Sequence, residues 1–221
     1  SGATIAGIFN VYEPFIKVLS FFNPKKLITD FNNFLKNINL PLMVPLMFGM
    51  IISIYFSAYF VDYLIKHQLY FFKIFLSLVM LFAVIKNCTM DQSFSDSGKY
   101  FLSFALGIIV AILIAFSLIE FNFNNDLLLI FAGLLAFTAF ILPGISGSLV
   151  LLILGVYQEI ISGVKNLDIL ALLPFIIGML LAFFIVPTQI AKRFEKNEHQ
   201  IKVLFSGLIL GSIPAVWIHL N

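Results

Sequence analysis

Charge is what this sequence has least of. Only 11% of its 221 residues are charged, against about a quarter in a soluble domain. Meanwhile 61% are hydrophobic and 27 are phenylalanine. One soluble core cannot hide that apolar excess, so the chain reads as an all-α polytopic membrane protein. The balance of 13 basic and 11 acidic side chains, net +2, offers no basic surface to nucleic acid. Cysteine occurs once, at Cys88, which excludes an internal disulfide and a cysteine-held metal. His67, His199 and His219 are scattered, without H-x-E or H-E-x-x-H spacing, so neither a metal nor another cofactor is expected. No cleavable signal segment is expected from the visible sequence, where Ser1-Gly2 runs straight into apolar residues. Without an initiator Met, the natural chain is expected to begin earlier.

A spanning helix needs about 20 mostly apolar residues. Residues 40–65, 70–87, 100–119, 168–190 and 201–220 meet that need. Segments 127–142 and 149–163 are apolar but short, with Pro143-Gly144 between them, and 3–22 reads as an incomplete unit. In "NPKKLITDFNNFLKNIN", residues 23–39, an apolar stripe of Leu27, Ile28, Phe31, Phe34, Leu35 and Ile38 lies opposite Lys25, Lys26 and Lys36. With Asn23-Pro24 as its start, this stretch is expected to form an amphipathic helix lying on the membrane surface.

The sequence repeats itself. "SGATIAGIFNVYEPFI" (1–16) laid on "SGSLVLLILGVYQEII" (146–161) matches at Ser, Gly, Ile, Val, Tyr and Ile. Further on, Pro45, Gly49, Met50, Lys73 and Ser77 match Pro174, Gly178, Met179, Lys202 and Ser206. The first register is offset by 145 residues and the second by 129. One insertion, at the surface helix, reconciles them.

The cluster Lys192, Arg193, Lys196 and Lys202 marks a cytoplasmic loop between 190 and 203, with Arg193 as a topology anchor. The loop at 120–127 has no basic residue and should face outward. Both ends of 127–163 then fall outside, which makes that segment a re-entrant hairpin with Pro143-Gly144 at its tip. Residues 1–22 become the second arm of a matching hairpin entering from the cytoplasm. Three crossings separate the two units, so the repeats are expected to be inverted. Residues 1–99 form the first, 100–119 a connecting helix and 120–221 the second.

Irregular backbone at membrane depth survives where protein covers it or where it lines a wet cavity. Inverted-repeat transporters place broken helices at the midplane with half-helix N-termini aimed at anionic groups. Gly144, Ser146, Gly147 and Ser148 supply a tight turn, free N–H groups and two hydroxyls at one such spot. Ser1, Gly2 and Thr4 supply the same from the first repeat. This chemistry suits a phosphate or carboxylate.

"ILPGISGSLVLLILGVYQEII", "LPFIIGMLLAFF" and "LFSGLILGSIPAVW" resemble the bacterial polyprenyl-phosphate transporter family, long catalogued as a membrane domain of unknown function. "SGATIAGIFNVYEPFI" is similar to that family's first Pro-Gly-x-Ser-Gly-Gly-Thr…Tyr-Glu motif, with a leading arm and the first Pro-Gly missing. Ala3 stands where the family has a second Gly. Gln158 stands where it has Glu, although Glu159 follows.

The resemblance implies a flippase that returns undecaprenyl phosphate across the bacterial cytoplasmic membrane for reuse, with no covalent chemistry. Its partners would be the lipid, the bilayer and a coupling ion, either a proton or sodium. Glu13, Tyr12, Tyr157 and Glu159 are the candidates for coupling or gating. For Tyr12 and Tyr157 an interfacial belt is the plainer reading, and Asp62 reads as interfacial. Lys73 and Lys202 are candidates for drawing a headgroup to each leaflet. The rival readings are a transporter of a small soluble anion and a membrane lipid phosphatase.

Overall fold

The computed structural model describes residues 2–22, 66–89, 97–116 and 126–219, with isolated positions between 41 and 64. The expected surface helix at 23–39, most of the span at 40–65, Ser1 and Asp62 lie outside the described residues. The elements are α1 (Gly2–Ile8), α2 (Tyr12–Phe21), α3 (Leu69–Thr89), α4 (Ser97–Phe116), α5 (Asp126–Ile141), α6 (Gly147–Ile153), α7 (Tyr157–Lys165), α8 (Ile169–Gly211) and α9 (Ile213–His219). No strand occurs among the described residues.

Helix α3 shows which solvent the surface is built for. Its 21 residues span about 31 Å at 1.5 Å per residue, the thickness of a bilayer core. Phe71, Ile74, Phe75, Leu78, Phe82 and Ile85 recur at helical spacing and all point outward. Ala83, Val84 and Cys88 turn inward. A face of phenylalanine and isoleucine left outside is stable against lipid, not water. On α4, Leu102, Leu106, Ile109 and Leu113 do the same.

The expected cytoplasmic loop between 190 and 203 is helical instead. Helix α8 runs unbroken to Lys196, and a single residue, Asn197, interrupts it with extended backbone (φ −159°, ψ 81°). Phe194 and Phe205 would lie about 16 Å apart along a straight helix. Their ring centroids are 5.9 Å apart, so the chain reverses at Asn197 and α8 is a helical hairpin. The Asn197 side chain accepts from the Gln200 N–H at 3.2 Å, which caps the returning limb. The basic cluster therefore sits on helix at the bend. Pro214 removes a helical donor one turn on, and the returning limb ends at Ser212 before α9.

Glycines let the helices approach closely. A Cβ at Gly178 would strike the Ile130 carbonyl of α5, and one at Gly133 would strike the Phe175 carbonyl of α8. Gly107 of α4 and Gly207 of the returning limb meet in the same way. Gly178→Ala is expected to force α5 and α8 apart and to cost about 1–3 kcal/mol. A drop in the thermal unfolding midpoint of the detergent-solubilised protein would register it.

The arm expected as one piece at 149–163 is two helices, α6 and α7, bent by 116°. Residue 155 is the cause. Gly155 adopts φ +72°, and its N–H bonds the Leu152 carbonyl at 3.0 Å while the Val156 N–H bonds Leu151 at 3.1 Å. That pair of bonds is a Schellman stop. The segment expected as one arm at 1–22 breaks the same way 145 residues earlier. Asn10 has φ +56°, its N–H bonds Gly7 at 3.1 Å, and the Val11 N–H bonds Ala6 at 2.9 Å. The duplicated sequence thus carries a duplicated backbone motif. Asn stands where the other copy has Gly because, of the non-glycine residues, it tolerates the left-handed region best.

Candidate functional site

Helices α5 and α6 are joined by the turn 142–146, and Gly147 lets them close. A Cβ there would come within 2.7 Å of the Ala136 carbonyl. Gly147 therefore serves packing. The turn itself is held from the first repeat by two bonds. The Gly144 N–H donates to Thr4 Oγ1 at 3.1 Å, and the Tyr12 hydroxyl donates to the Ile141 carbonyl at 3.2 Å.

Tyr12 is 5% exposed. Its ring lies 6.0 Å from Phe194 and 5.5 Å from Phe205, in the fork of the α8 hairpin. It is a core residue where α2 packs into the α8 fork, not a belt tyrosine.

A cavity of about 430 Å³ opens beside this joint. Gly2 and Thr4 reach it from α1, and Gly144, Ser146 and Ser148 reach it from the turn and α6. The Ser146 and Ser148 hydroxyls are 2.8 Å apart and exposed. Ser146 is the N-cap of α6, yet its side chain makes no capping bond. Its oxygen thus stays on the cavity side, and α6, seven residues long, brings only a short helix dipole. Leu76 and Met80 of α3, Leu149 and Leu152 of α6, and Val216 of α9 make the remaining wall apolar. Polar groups at one end and hydrocarbon along the sides suit an amphiphile.

Ser212 also lines this cavity. Sequence reading missed it, although a serine two residues before Pro214 in an apolar run marks a helix break.

A second cavity, of about 210 Å³, lies on the other side of Thr4. Glu13, Glu198 and Lys202 line it together with Tyr12, Asn10 and Asn87. Glu13 pairs with Lys17 and Glu198 with Lys202, each at 2.6 Å and each four residues apart. Asn10, Asn87 and Glu198 are further residues that the sequence did not single out.

Lys73 is 8% exposed. Its ammonium donates to the Trp217 carbonyl at 3.3 Å and lies 5.9 Å from the indole centroid. The last turn of α9 therefore gives the ammonium a carbonyl partner. Tyr157 starts α7 and packs against the Leu151 cluster, while Glu159 is exposed. Neither lines the two cavities described. Among the described residues, no three His, Cys, Asp or Glu side chains gather into a metal-holding group.

Apolar helices with membrane-spanning length, lipid-facing phenylalanines and polar cavities at a broken-helix joint define an all-helical membrane protein. The chain belongs to the undecaprenyl phosphate translocase-like family, whose model matches residues 1–221. It is similar to a polyprenyl-phosphate transporter of Vibrio cholerae serotype O1, 31% identical over 86 residues. That stretch is 39% of this chain and 28% of the relative, so the match spans under a third of the relative's length. No solved structure matches the chain.

Proposed function

We propose that the protein is a flippase for undecaprenyl phosphate in the bacterial cytoplasmic membrane, built from two inverted repeats with re-entrant hairpins. One observation carries the reading. Two repeat-related segments converge hydroxyls and a glycine amide, from Thr4, Gly144, Ser146 and Ser148, on one cavity whose other walls are apolar.

The phosphate head sits at the polar end, and the isoprenoid tail leaves along Leu76, Met80 and Leu152 into lipid. A buried anion needs donors to replace the water it loses, or the desolvation cost is many kcal/mol. The Gly144 N–H, now bonded to Thr4, becomes available when a phosphate oxygen displaces the threonine hydroxyl. That hydroxyl can then donate to the phosphate in turn. Rocking of one repeat against the other, hinged where Tyr12 enters the α8 fork, exposes the head to alternate leaflets. The domain division at 99 and 120 belongs to this reading.

Flux in proteoliposomes tests it. A labelled polyprenyl phosphate is expected to cross at a rate set by protein content. Inorganic phosphate and small carboxylates should cross no faster than in empty vesicles. Small-anion flux without lipid flux would favour a tail-less substrate, and phosphate release from the lipid would favour a phosphatase. Either result overturns the proposal.

A further inference from the structure

The two cavities are images of each other under the sequence repeat. Ala3, Thr4 and Gly7 of α1 line the smaller one. Their counterparts 145 residues on, Ser148, Leu149 and Leu152, line the larger. The same holds for the long helices. Phe205, Ile209 and Asn87 border the smaller cavity, and their counterparts 129 residues away, Leu76, Met80 and Val216, border the larger. Six pairs of positions obey two independent offsets, although the cavities share no wall but Thr4.

The repeat also matches the lysines. Ser77 Oγ donates to the Lys73 carbonyl at 2.9 Å, and Ser206 Oγ donates to the Lys202 carbonyl at 2.8 Å. The copies differ in charge. Glu13 and Glu198 flank the smaller cavity, whereas Gln158 and Leu69 occupy the equivalent positions of the other copy.

We infer that the smaller cavity is a second seat for the same phosphate headgroup, with Lys202 as its cation, and that Glu198 is the group that empties it. The inference rests on the transport reading above. Passage from one seat to the other breaks the Thr4–Gly144 contact, because Thr4 lines both cavities. In the second seat Lys202 exchanges its Glu198 partner for phosphate, with Asn10 and Asn87 as further donors. The displaced carboxylate, with Glu13 beside it, then repels the anion and reclaims the lysine on release. The hydroxyl-lined cavity holds by neutral donors alone. It is the loading seat, and the charged cavity is the releasing seat.

Binding of a short-chain polyprenyl phosphate to the full chain carrying Ser146→Ala and Ser148→Ala isolates the second seat. Adding Glu198→Gln is expected to tighten the residual binding at least threefold and, in the otherwise wild-type chain, to slow flux. Adding Lys202→Gln is expected to lose the residual binding at least fivefold, and Lys202→Arg to restore it. The Glu198 side chain is 44% exposed, so its glutamine variant leaves packing intact and keeps the test readable if Lys202→Gln does not fold. Inorganic phosphate as competitor separates a seat for the lipid from one for free anion, and equal competition counts against the lipid. Residual binding that is unchanged by Glu198→Gln, or still absent after it, overturns the second seat. A wild-type chain that neither binds nor moves the lipid overturns the transport reading instead.

Discussion

Gly144→Ala is expected to cost about 2–6 kcal/mol and to leave little folded protein. Two penalties combine there. Gly144 holds φ +90°, a conformation that strains an L side chain by about 1–3 kcal/mol. The added Cβ would also lie 2.7 Å from the Ile209 nitrogen and 2.8 Å from its Cα. Both atoms are backbone in the returning limb of α8, so no side chain can swing aside, and overpacking of this kind adds about 1–3 kcal/mol. The turn is thus clamped between α8 and Thr4, and a small change should propagate to both. Loss of the monodisperse species, or a thermal midpoint lowered by many degrees, is the measurement. A variant that unfolds like the wild type would mean that the turn does not pack on α8.

The second large effect is on affinity. With Ser146 and Ser148 both replaced by alanine, binding of polyprenyl phosphate is expected to weaken on the order of a hundredfold. A hydrogen bond to a charged group contributes about 1.5–3 kcal/mol, and each 1.4 kcal/mol is a tenfold change in affinity. Two such bonds, counted conservatively because neighbouring hydroxyls are not additive, give that figure. Folding should be untouched, because the two hydroxyls bond each other in an exposed setting and neither caps α6 through its side chain. Equal affinity, measured by titration at constant unfolding temperature, would remove the turn from the substrate site.

Length and apolarity made α3, α4 and α5 legible in the sequence, with ends within three residues of those observed. The repeated sequence was legible too, and its 145-residue register reappears in the matched stops at Asn10 and Gly155. The breaks themselves were not read. Gly155 lies inside an apolar run, where a glycine signals packing as readily as a turn, and Asn10 has no glycine to announce it. At the α8 bend the basic residues drew the reading toward a loop. The cap was there in Asn197 and Gln200, spaced as N-cap and N3. The sequence suggests a belt tyrosine at Tyr12 and a headgroup-attracting cation at Lys73, because composition gives depth but not neighbours. What buries them, the α8 fork and the Trp217 carbonyl, comes from residues well over a hundred positions away. The convergence of Thr4 with Ser146 and Ser148 was anticipated from the repeat. Of the acidic lining opposite, Glu13 stood out in its apolar surroundings, whereas Glu198 did not, because it sits in a stretch rich in charge.

Thr4 lines both chambers. Were the two chambers to open to opposite sides, as the transport proposal requires, the bilayer would be electrically thin at that point and most of the transmembrane voltage would fall there. A charge moved past Thr4 then traverses nearly the full field in one short step. For a phosphate monoester of about −2, an inside-negative potential opposes inward return by roughly 4–5 kcal/mol per 100 mV, so the proposed recycling direction needs a coupled cation to offset it.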